Sequence, residues 1–237
     1  MMRKNNSLIS IIICLLSFAI LIWCEYPVSP ISRKIEFPSG KLKVSDPNGP
    51  CLDSDKKPVF LQNRELSLTW EPLIRKGDTS IVRLSFLKIQ PISPADTTIP
   101  LDENKTINLY DLYSVEAEAR LELFDAVVNP AGLSGLVLGE GQDIDFNWVI
   151  KPVASGSVEG TTWFYLKFFQ KSGCEPFEQA ISAQKVSIKV ISLLGLDSYF
   201  WRILGVLGLF IGLVILGFGK NWSLFQLFRH KMIRKGG

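Results

Sequence analysis

A 20-residue apolar stretch near the C-terminus constrains this chain more than any other feature. Residues 199–218 read YFWRILGVLGLFIGLVILGF and carry one charge, Arg202, close to the start of the stretch. At a rise of about 1.5 Å per residue, a helix of this length covers the roughly 30 Å hydrocarbon core of a bilayer. We therefore predict a transmembrane helix over residues 199–219, and every other segment must lie on one side of a membrane or cross it.

A second apolar run lies at the N-terminus. Residues 8–23 follow a short stretch with two basic residues, and their length suits either a signal-peptide core or a short membrane helix. The run ends in Leu-Ile-Trp-Cys, without the small residues that signal cleavage requires, and Trp23 suits the aromatic belt of a membrane surface. This favours an uncleaved signal anchor, with an N-terminal tail over residues 1–7 and a first transmembrane helix over residues 8–24.

Charge is distributed unevenly along the sequence. The N-terminal 24 residues and residues 199–237 hold eight basic residues and no acidic one, whereas residues 25–198 hold all 23 acidic residues and 18 basic ones. Basic ends around an acidic middle follow the positive-inside rule. We therefore expect a two-pass plasma-membrane protein with both termini cytoplasmic and residues 25–198 extracytoplasmic. The net charge of +3 reflects this orientation, and no nucleic-acid partner is expected.

The basic tail over residues 220–237 mixes cations with aromatic residues. Its membrane-surface cations are Arg229, Lys231, Arg234 and Lys235. Such a composition is typical of an interfacial segment on an anionic leaflet, although a frayed stop-transfer tail carries the same charges.

Alternation of apolar and polar residues dominates the middle of the chain. After a Pro-rich spacer over residues 25–32, the alternation predicts about seven strands. The predicted strands span residues 35–44, 66–70, 81–90, 115–123, 144–151, 161–170 and 183–191. A loop is expected over residues 129–141 and a small helix within residues 101–114. This pattern predicts an all-β exported domain, an antiparallel immunoglobulin-like β-sandwich, flanked by two transmembrane helices.

Two of these predicted strands have an unusual composition. Residues 115–123, VEAEARLEL, are rich in helix formers, but their apolar and charged positions alternate strictly, and only a strand puts the whole apolar set on one face. Residues 161–170 are apolar on both faces, with Trp163 and Tyr165 on one and Phe164 and Phe168 on the other, which is typical of a central strand. These aromatic residues favour a core, and a ligand groove is the alternative.

The run FNWVIKPVASGS, followed by WFYLKFF, resembles a pattern found in bacterial membrane-linked immunoglobulin-like β-sandwich domains. In that pattern a Trp-centred strand ends in proline, and a glycine opens the next strand. The matching positions are Trp148, Val149, Pro152 and Gly156, and the chain departs from the pattern in the additional SVEG before the second aromatic run. The resemblance covers a small part of the chain, points to no named family, and implies a fold rather than an activity.

Few residues in this sequence could support catalysis or bind metal. The only histidine, His230, lies in the predicted cytoplasmic tail, which excludes a Ser-His-Asp or Cys-His site in the exported domain and disfavours zinc. Acidic loops over residues 46–55 and 140–145 offer oxygen ligands but lack the EF-hand spacing, and solvated turns explain them as well. We expect no catalytic residue, no metal and no cofactor. Cys51 and Cys174 form a candidate disulfide, with two unrelated buried thiols as the alternative.

Small residues recur along both apolar segments at helical spacing. They are Ser10, Cys14 and Ser17 in the first segment and Gly205, Gly208, Gly212 and Gly219 in the second. Steps of three, four and seven place each set on one helix face, and such faces let membrane helices approach closely. We hypothesise that the two faces pack together, within one chain as an antiparallel hairpin or between chains in an oligomer. The alternative is chance, since glycine is common in membrane helices.

These features together favour a membrane-anchored extracytoplasmic β-sandwich protein without catalysis. We expect it to act as a binding subunit, or as an accessory or scaffold subunit, of a membrane complex. The expected partners are the lipid bilayer and either another protein or a second copy of the chain through the transmembrane helices. A small oligomeric pore or channel subunit is the alternative, which is disfavoured because the apolar segments have no polar face apart from Arg202.

Overall fold

The computed structural model describes residues 2–37, 62–89, 108–171, 173 and 175–233, with side chains described between Leu8 and Gly217. The helices are α1 (Met2–Glu25), α2 (Leu109–Leu112) and α3 (Ser198–Ile233). The strands are β1 (Ile31–Phe37), β2 (Arg64–Trp70), β3 (Leu73–Arg75), β4 (Ser80–Lys88), β5 (Tyr113–Leu123), β6 (Ala126–Asn129), β7 (Leu133–Leu138), β8 (Ile144–Pro152), β9 (Gly156–Gln170) and β10 (Phe177–Ile191).

The chain divides into two units. The first joins Met1–Pro27, Arg75–Asp78 and Ser192–Gly237, so it contains both long helices and the turn that connects β3 to β4. The second joins Val28–Ile74 and Thr79–Ile191 and contains the β-strands.

Two five-stranded sheets form the second unit. The strand order is β1-β2-β4-β8-β6 in one sheet and β3-β10-β9-β5-β7 in the other. Buried side chains from both sheets form one core, with Phe86 and Trp148 from the first sheet and Phe164 and Phe168 from the second. The prediction of a β-rich domain with an apolar helix near each end of the chain is confirmed. The immunoglobulin-like class stays a prediction.

Strict alternation accounts for the strands that the sequence predicted well. In β4 the apolar residues Val82, Leu84 and Phe86 are buried, and in β8 every second residue is buried along the whole strand. In β5 the buried set includes Ala117 and Ala119, which confirms that residues 115–123 form a strand despite their helix propensity. Burial of one complete face outweighs the intrinsic preference of Glu and Ala for helix.

The central position of β9 was predicted, but its two faces differ. Phe164 and Phe168 point into the core, whereas Trp163 and Tyr165 lie half-buried on the outer face with their rings stacked 6.3 Å apart. Trp163 Nε1 donates a hydrogen bond to Glu122 on the adjacent strand β5, at 3.3 Å. The expected core role thus applies to Phe164 and Phe168, whereas Trp163 and Tyr165 pack along the outer surface of the sheet.

Parts of two edge strands were misassigned. β1 begins at Ile31, inside the predicted Pro-rich spacer, and nearly all of its residues are exposed. β7, together with the last residue of β6, occupies the predicted loop over residues 129–141. Pairing with a neighbouring strand creates these edge strands, and cross-strand partners are not visible in the local sequence.

The residues of the β-sandwich resemblance lie at strand ends. Pro152 ends β8, and Gly156 begins β9 with a φ of +133°, a backbone conformation that favours glycine. Gly160, in the additional SVEG stretch, lies where β9 passes close to β5. A Cβ at Gly160 would collide with the backbone carbonyl of Glu122, so this position requires glycine.

Several predicted features fall outside the described residues. They are Cys51, Cys174, Arg234, Lys235, the acidic loop 46–55 and the predicted strand residues 38–44. The predicted small helix is present as α2 at the end of its expected range. α3 continues without a break to Ile233, so the predicted basic tail begins as part of the same helix.

Candidate functional site

The two long helices are apolar over a length that could cross a membrane. The apolar spans are Leu8–Glu25 in α1, with 18 residues, and Ser198–Gly217 in α3, with 20 residues. Most of their large apolar side chains are exposed, including Leu15 in α1 and Phe210 in α3. A core helix of a water-soluble domain would bury such side chains.

α1 and α3 pack against each other in antiparallel orientation through their small residues. The Ser10 hydroxyl donates a hydrogen bond to the Gly212 carbonyl at 2.5 Å, and both residues are buried. A Cβ at Gly212 would overlap the Cys14 sulfur and lie 3.4 Å from the Ser10 carbonyl oxygen. The backbones approach this closely because neither helix has a bulky side chain at the contact.

The same contact continues toward the other end of the pair. A Cβ at Gly208 would overlap the Ser17 hydroxyl, and one at Gly205 would lie 2.9 Å from the Leu21 side chain. The structure thus brings the glycine face of α3 onto the Ser/Cys face of α1 within one chain. Gly219, Arg229 and Lys231 lie beyond the part of α3 whose side chains are described.

Charged side chains gather at one end of this helix pair. Arg202 in α3 forms ion pairs with Glu25 at the end of α1, at 3.0 Å, and with Asp78 in the turn after β3, at 3.3 Å. Asp78 also accepts a hydrogen bond from the Ser198 hydroxyl at 2.5 Å. The side chain of Asp78 is 19% exposed and that of Glu25 is 69% exposed, so Asp78 is the better shielded partner of Arg202.

The turn Arg75–Asp78 also binds the first residues of α3. The Ser198 amide donates to the Lys76 carbonyl at 2.8 Å, and Lys76 Nζ lies 3.3 Å from Asp197. A helix start leaves backbone amides unpaired and favours a nearby negative charge. Here the Lys76 carbonyl accepts from the first amide, and Asp197 provides the negative charge. Gly77 adopts a φ of +90°, and a Cβ there would lie 2.9 Å from Asp197 Cβ.

Arg75, the first residue of this turn, contacts the end of α1 and the residue after it. Its Nη2 donates to the Tyr26 carbonyl at 2.8 Å, and its guanidinium lies 5.4 Å from the centre of the Trp23 ring. We call the turn Arg75–Asp78, together with Glu25, Tyr26, Ser198 and Arg202, the polar clasp. The sequence identified Arg202 as the one charge in the apolar stretch but gave no sign of its partner Asp78. Their pairing was missed because the partners lie about 120 residues apart in the chain.

In the acidic loop over residues 140–145, the carboxylates that were considered as calcium ligands accept hydrogen bonds from donors of the protein itself. Glu140 accepts from Asn108 at 3.0 Å, Asp143 accepts from the Lys88 amide at 2.6 Å, and Asp145 accepts from the Ser85 hydroxyl. In the described part of the chain, no group of three or more histidine, cysteine or acidic residues is placed to hold a metal ion.

One fully buried cation was not identified from the sequence. Arg64, at the start of β2, donates to the Gln142 carbonyl at 2.5 Å and to the Tyr110 hydroxyl at 3.3 Å, and it lies over the Phe86 ring. Burial raises the pKa of Tyr110 to about 12, and the neighbouring Arg64 acts in the opposite direction. These contacts tie β2 to the α2 region, and we assign Arg64 a structural role.

A different candidate surface lies at the edge strand β7. Within the described residues β7 pairs with β5 alone, and Leu133 and Val137 are exposed on its outer face. The other edge strands are protected, because β1 carries Arg33, Lys34 and Glu36, and β3 and β6 are only three and four residues long. β7 has no charged residue and no proline.

Carboxylates surround this edge on the outer face of the sheet. The Glu116 carboxylate lies over Gly135 of β7, and Glu118 lies beside it, 3.8 Å from Lys167. Burial raises the pKa of Glu118; Lys167 lowers it, and Glu178 and Glu116 raise it further. Lys167 pairs with Glu118, and Arg120, opposite Leu133, pairs with Glu122, so Glu116 is the carboxylate that lies directly over β7.

Comparison with known proteins adds little to this description. No protein family and no curated protein matches the chain. Among solved structures it is similar to AggA, the major subunit of aggregative adherence fimbriae type I from Escherichia coli. The two share 11% sequence identity, with a TM-score of 0.28, over 53% of this chain and 94% of that chain. A likeness this weak carries no argument about function, so the resemblance to bacterial membrane-linked domains stays a prediction.

We expect Gly212→Leu to destabilise the helix pair by about 1–3 kcal/mol, because the new side chain must displace the Cys14 sulfur and the Ser10 carbonyl. Gly217→Leu is the matched control, since a Cβ at Gly217 meets no atom within 4 Å. The measurement is the midpoint of SDS-induced unfolding in mixed micelles. Equal midpoints for the two variants would contradict the packing described here.

Within the polar clasp, we expect Asp78→Asn to cost about 1–3 kcal/mol, because it removes the shielded partner of Arg202. Glu25→Gln removes the exposed partner and should cost about 0.5 kcal/mol or less. The thermal unfolding midpoint of the protein in nanodiscs distinguishes the two variants. The reverse order of effects would show that Asp78 does not hold Arg202.

Proposed function

We propose that this chain is a two-pass membrane protein whose extracytoplasmic β domain binds another protein, as an accessory or scaffold subunit without catalysis. The observation that carries the membrane assignment is the inside-out polarity of the helix pair. Ser10 and Ser17 are buried against α3, whereas large apolar side chains cover the outside of both helices. This arrangement suits a hydrocarbon solvent and would be costly in water.

The proposed orientation rests on charge. The end of α1 and the start of α3 lie together at the polar clasp, which is the end that leads into the acidic middle of the chain. The basic residues Arg3, Lys4 and those after residue 219 belong to the opposite ends of the same helices. The positive-inside rule therefore supports cytoplasmic termini.

The pore alternative has less support. A pore needs polar groups facing a central water path, and the small polar residues of α1 are used within the pair. Ser10 contacts Gly212, and Ser17 contacts Gly208. The same contacts also use the residues that would otherwise join one copy of the chain to another.

The proposed binding role rests on the uncharged edge of β7. Extended segments of partner proteins bind exposed sheet edges by adding a strand, in which main-chain hydrogen bonds give affinity and side chains give specificity. The carboxylate of Glu116 over Gly135 favours a partner strand with a basic residue at that level. Apolar residues on both sides of it would cover Leu133 and Val137.

A second copy of the chain fits this edge poorly. Each Glu116 carboxylate lies over Gly135 of its own β7, so antiparallel pairing of two β7 strands at Gly135 would bring the two carboxylates to within about one strand spacing, roughly 5 Å, of each other. Repulsion between like charges therefore favours a different protein as the partner.

The binding role is tested by chemical cross-linking in the native membrane. We expect the wild-type chain to form a discrete product with a different protein, and Val137→Lys to reduce it at least about fivefold, because an edge lysine blocks strand addition and neutralises Glu116. The control is Val127→Lys on the edge strand β6. Val127 is 59% exposed and Val137 is 68% exposed, so the two substitutions are alike in burial.

Equal loss of the product in both variants would contradict a role for β7. A product that contains only this chain would contradict the assignment of a different protein as partner and would favour the oligomer.

A further inference from the structure

A tight apolar turn connects the last strand to α3. The Leu196 amide donates to the Leu193 carbonyl at 3.1 Å, and the two residues between them, Leu194 and Gly195, have φ values of +53° and +76°. Two successive left-handed residues define the turn type that strongly prefers Asn-Gly or Gly-Gly. Gly195 fits this preference and Leu194 does not.

The Leu194 side chain is hardly buried by the described part of the chain. A left-handed backbone is unfavourable for a leucine, because its Cβ crowds the following carbonyl. Its side chain is nevertheless 82% exposed, the largest exposure among the large apolar residues in the described part of the chain. A left-handed backbone and an exposed apolar side chain coincide at this residue, and burial among the described residues offsets neither cost.

The turn lies beside α3 rather than beyond its end. Trp201 Nε1 donates to the Leu193 carbonyl at 2.9 Å, and Trp201 is three residues past the start of the helix. The apolar side chains of Tyr199 and Phe200, in the same first helical turn, are also exposed. Lys76 Nζ donates a hydrogen bond to the Gly195 carbonyl at 3.1 Å, so the polar clasp contacts the turn Leu193–Leu196.

We infer that the turn Leu193–Leu196 is a lipid-binding element that places the Leu194 side chain in the interfacial layer of the bilayer. Trp201 holds the turn against the first turn of α3, where Tyr199 and Phe200 are exposed, so the lipid proposed to surround α3 is the occupant nearest to this turn. Aromatic and aliphatic side chains are favoured at this depth, and burial there offsets the exposure of Leu194. The inference rests on the proposed membrane residence of α1 and α3.

The test measures the depth of position 194 in the full-length protein reconstituted in phosphatidylcholine vesicles. A fluorescent coumarin amino acid replaces Leu194, and separate samples carry it at Asp197 or at Phe210. Quenching by lipids brominated near the headgroup reports interfacial location, quenching by lipids brominated deep in the acyl chain reports the hydrocarbon core, and aqueous iodide reports exposure to water. Circular dichroism confirms that each sample is folded.

We expect shallow bromolipids to quench position 194 at least twofold more than position 197, and iodide to show the reverse order. Stronger quenching of position 194 by iodide than by bromolipids would overturn the inference. Protection of position 194 from both quenchers would also overturn it, because the turn would then be covered by protein. Position 210 tests the membrane residence of α3 separately from the interfacial location of position 194. If deep bromolipids fail to quench position 210, the proposed membrane residence of α3 is contradicted.

Discussion

The close approach of α1 and α3 is the contact on which the rest of the first unit depends. In the membrane that we propose for this pair there is no hydrophobic force between apolar helices, so packing and hydrogen bonding must hold them together. Gly205, Gly208 and Gly212 leave room for α1, and the Ser10 hydroxyl reaches the Gly212 carbonyl. Because this contact uses the small polar residues, the outside of the pair is apolar and suited to lipid.

The polar clasp follows from the same geometry. Antiparallel packing brings the end of α1 and the start of α3 to one level, where Glu25 meets Arg202. At the margin of the proposed membrane segment a cation is tolerated when it is paired, and Asp78 supplies a second, better shielded carboxylate. The turn Arg75–Asp78 also provides the carbonyl that binds the first amide of α3. One short turn thus satisfies the charge and the backbone donor that this helix end exposes.

The sequence predicted most of what depends on local periodicity. Apolar stretches of membrane-spanning length marked α1 and α3, and strict alternation marked β4, β5 and β8 even where helix propensity pointed elsewhere. The small residues at helical spacing indicated the faces that α1 and α3 bring together.

Long-range pairing was not predictable from the sequence. β1 and β7 are strands because a neighbour pairs with them, and their own residues lack an alternating buried face. The partners of Arg202 and the burial of Arg64 depend on contacts between distant segments. The left-handed backbone of Leu194 could not be predicted from the sequence either, because leucine does not favour this conformation.

Disulfide trapping of the helix pair tests the central claim most directly. A Cβ at Gly208 would lie 3.5 Å from Ser17 Cβ, which is within the range that a disulfide spans. The account predicts that Ser17→Cys combined with Gly208→Cys forms an intramolecular disulfide in membranes, identified by mass spectrometry of the linked peptides. Ser17→Cys combined with Gly217→Cys should form none. A double variant at positions 17 and 208 that cross-links only between chains, or not at all, would contradict the account.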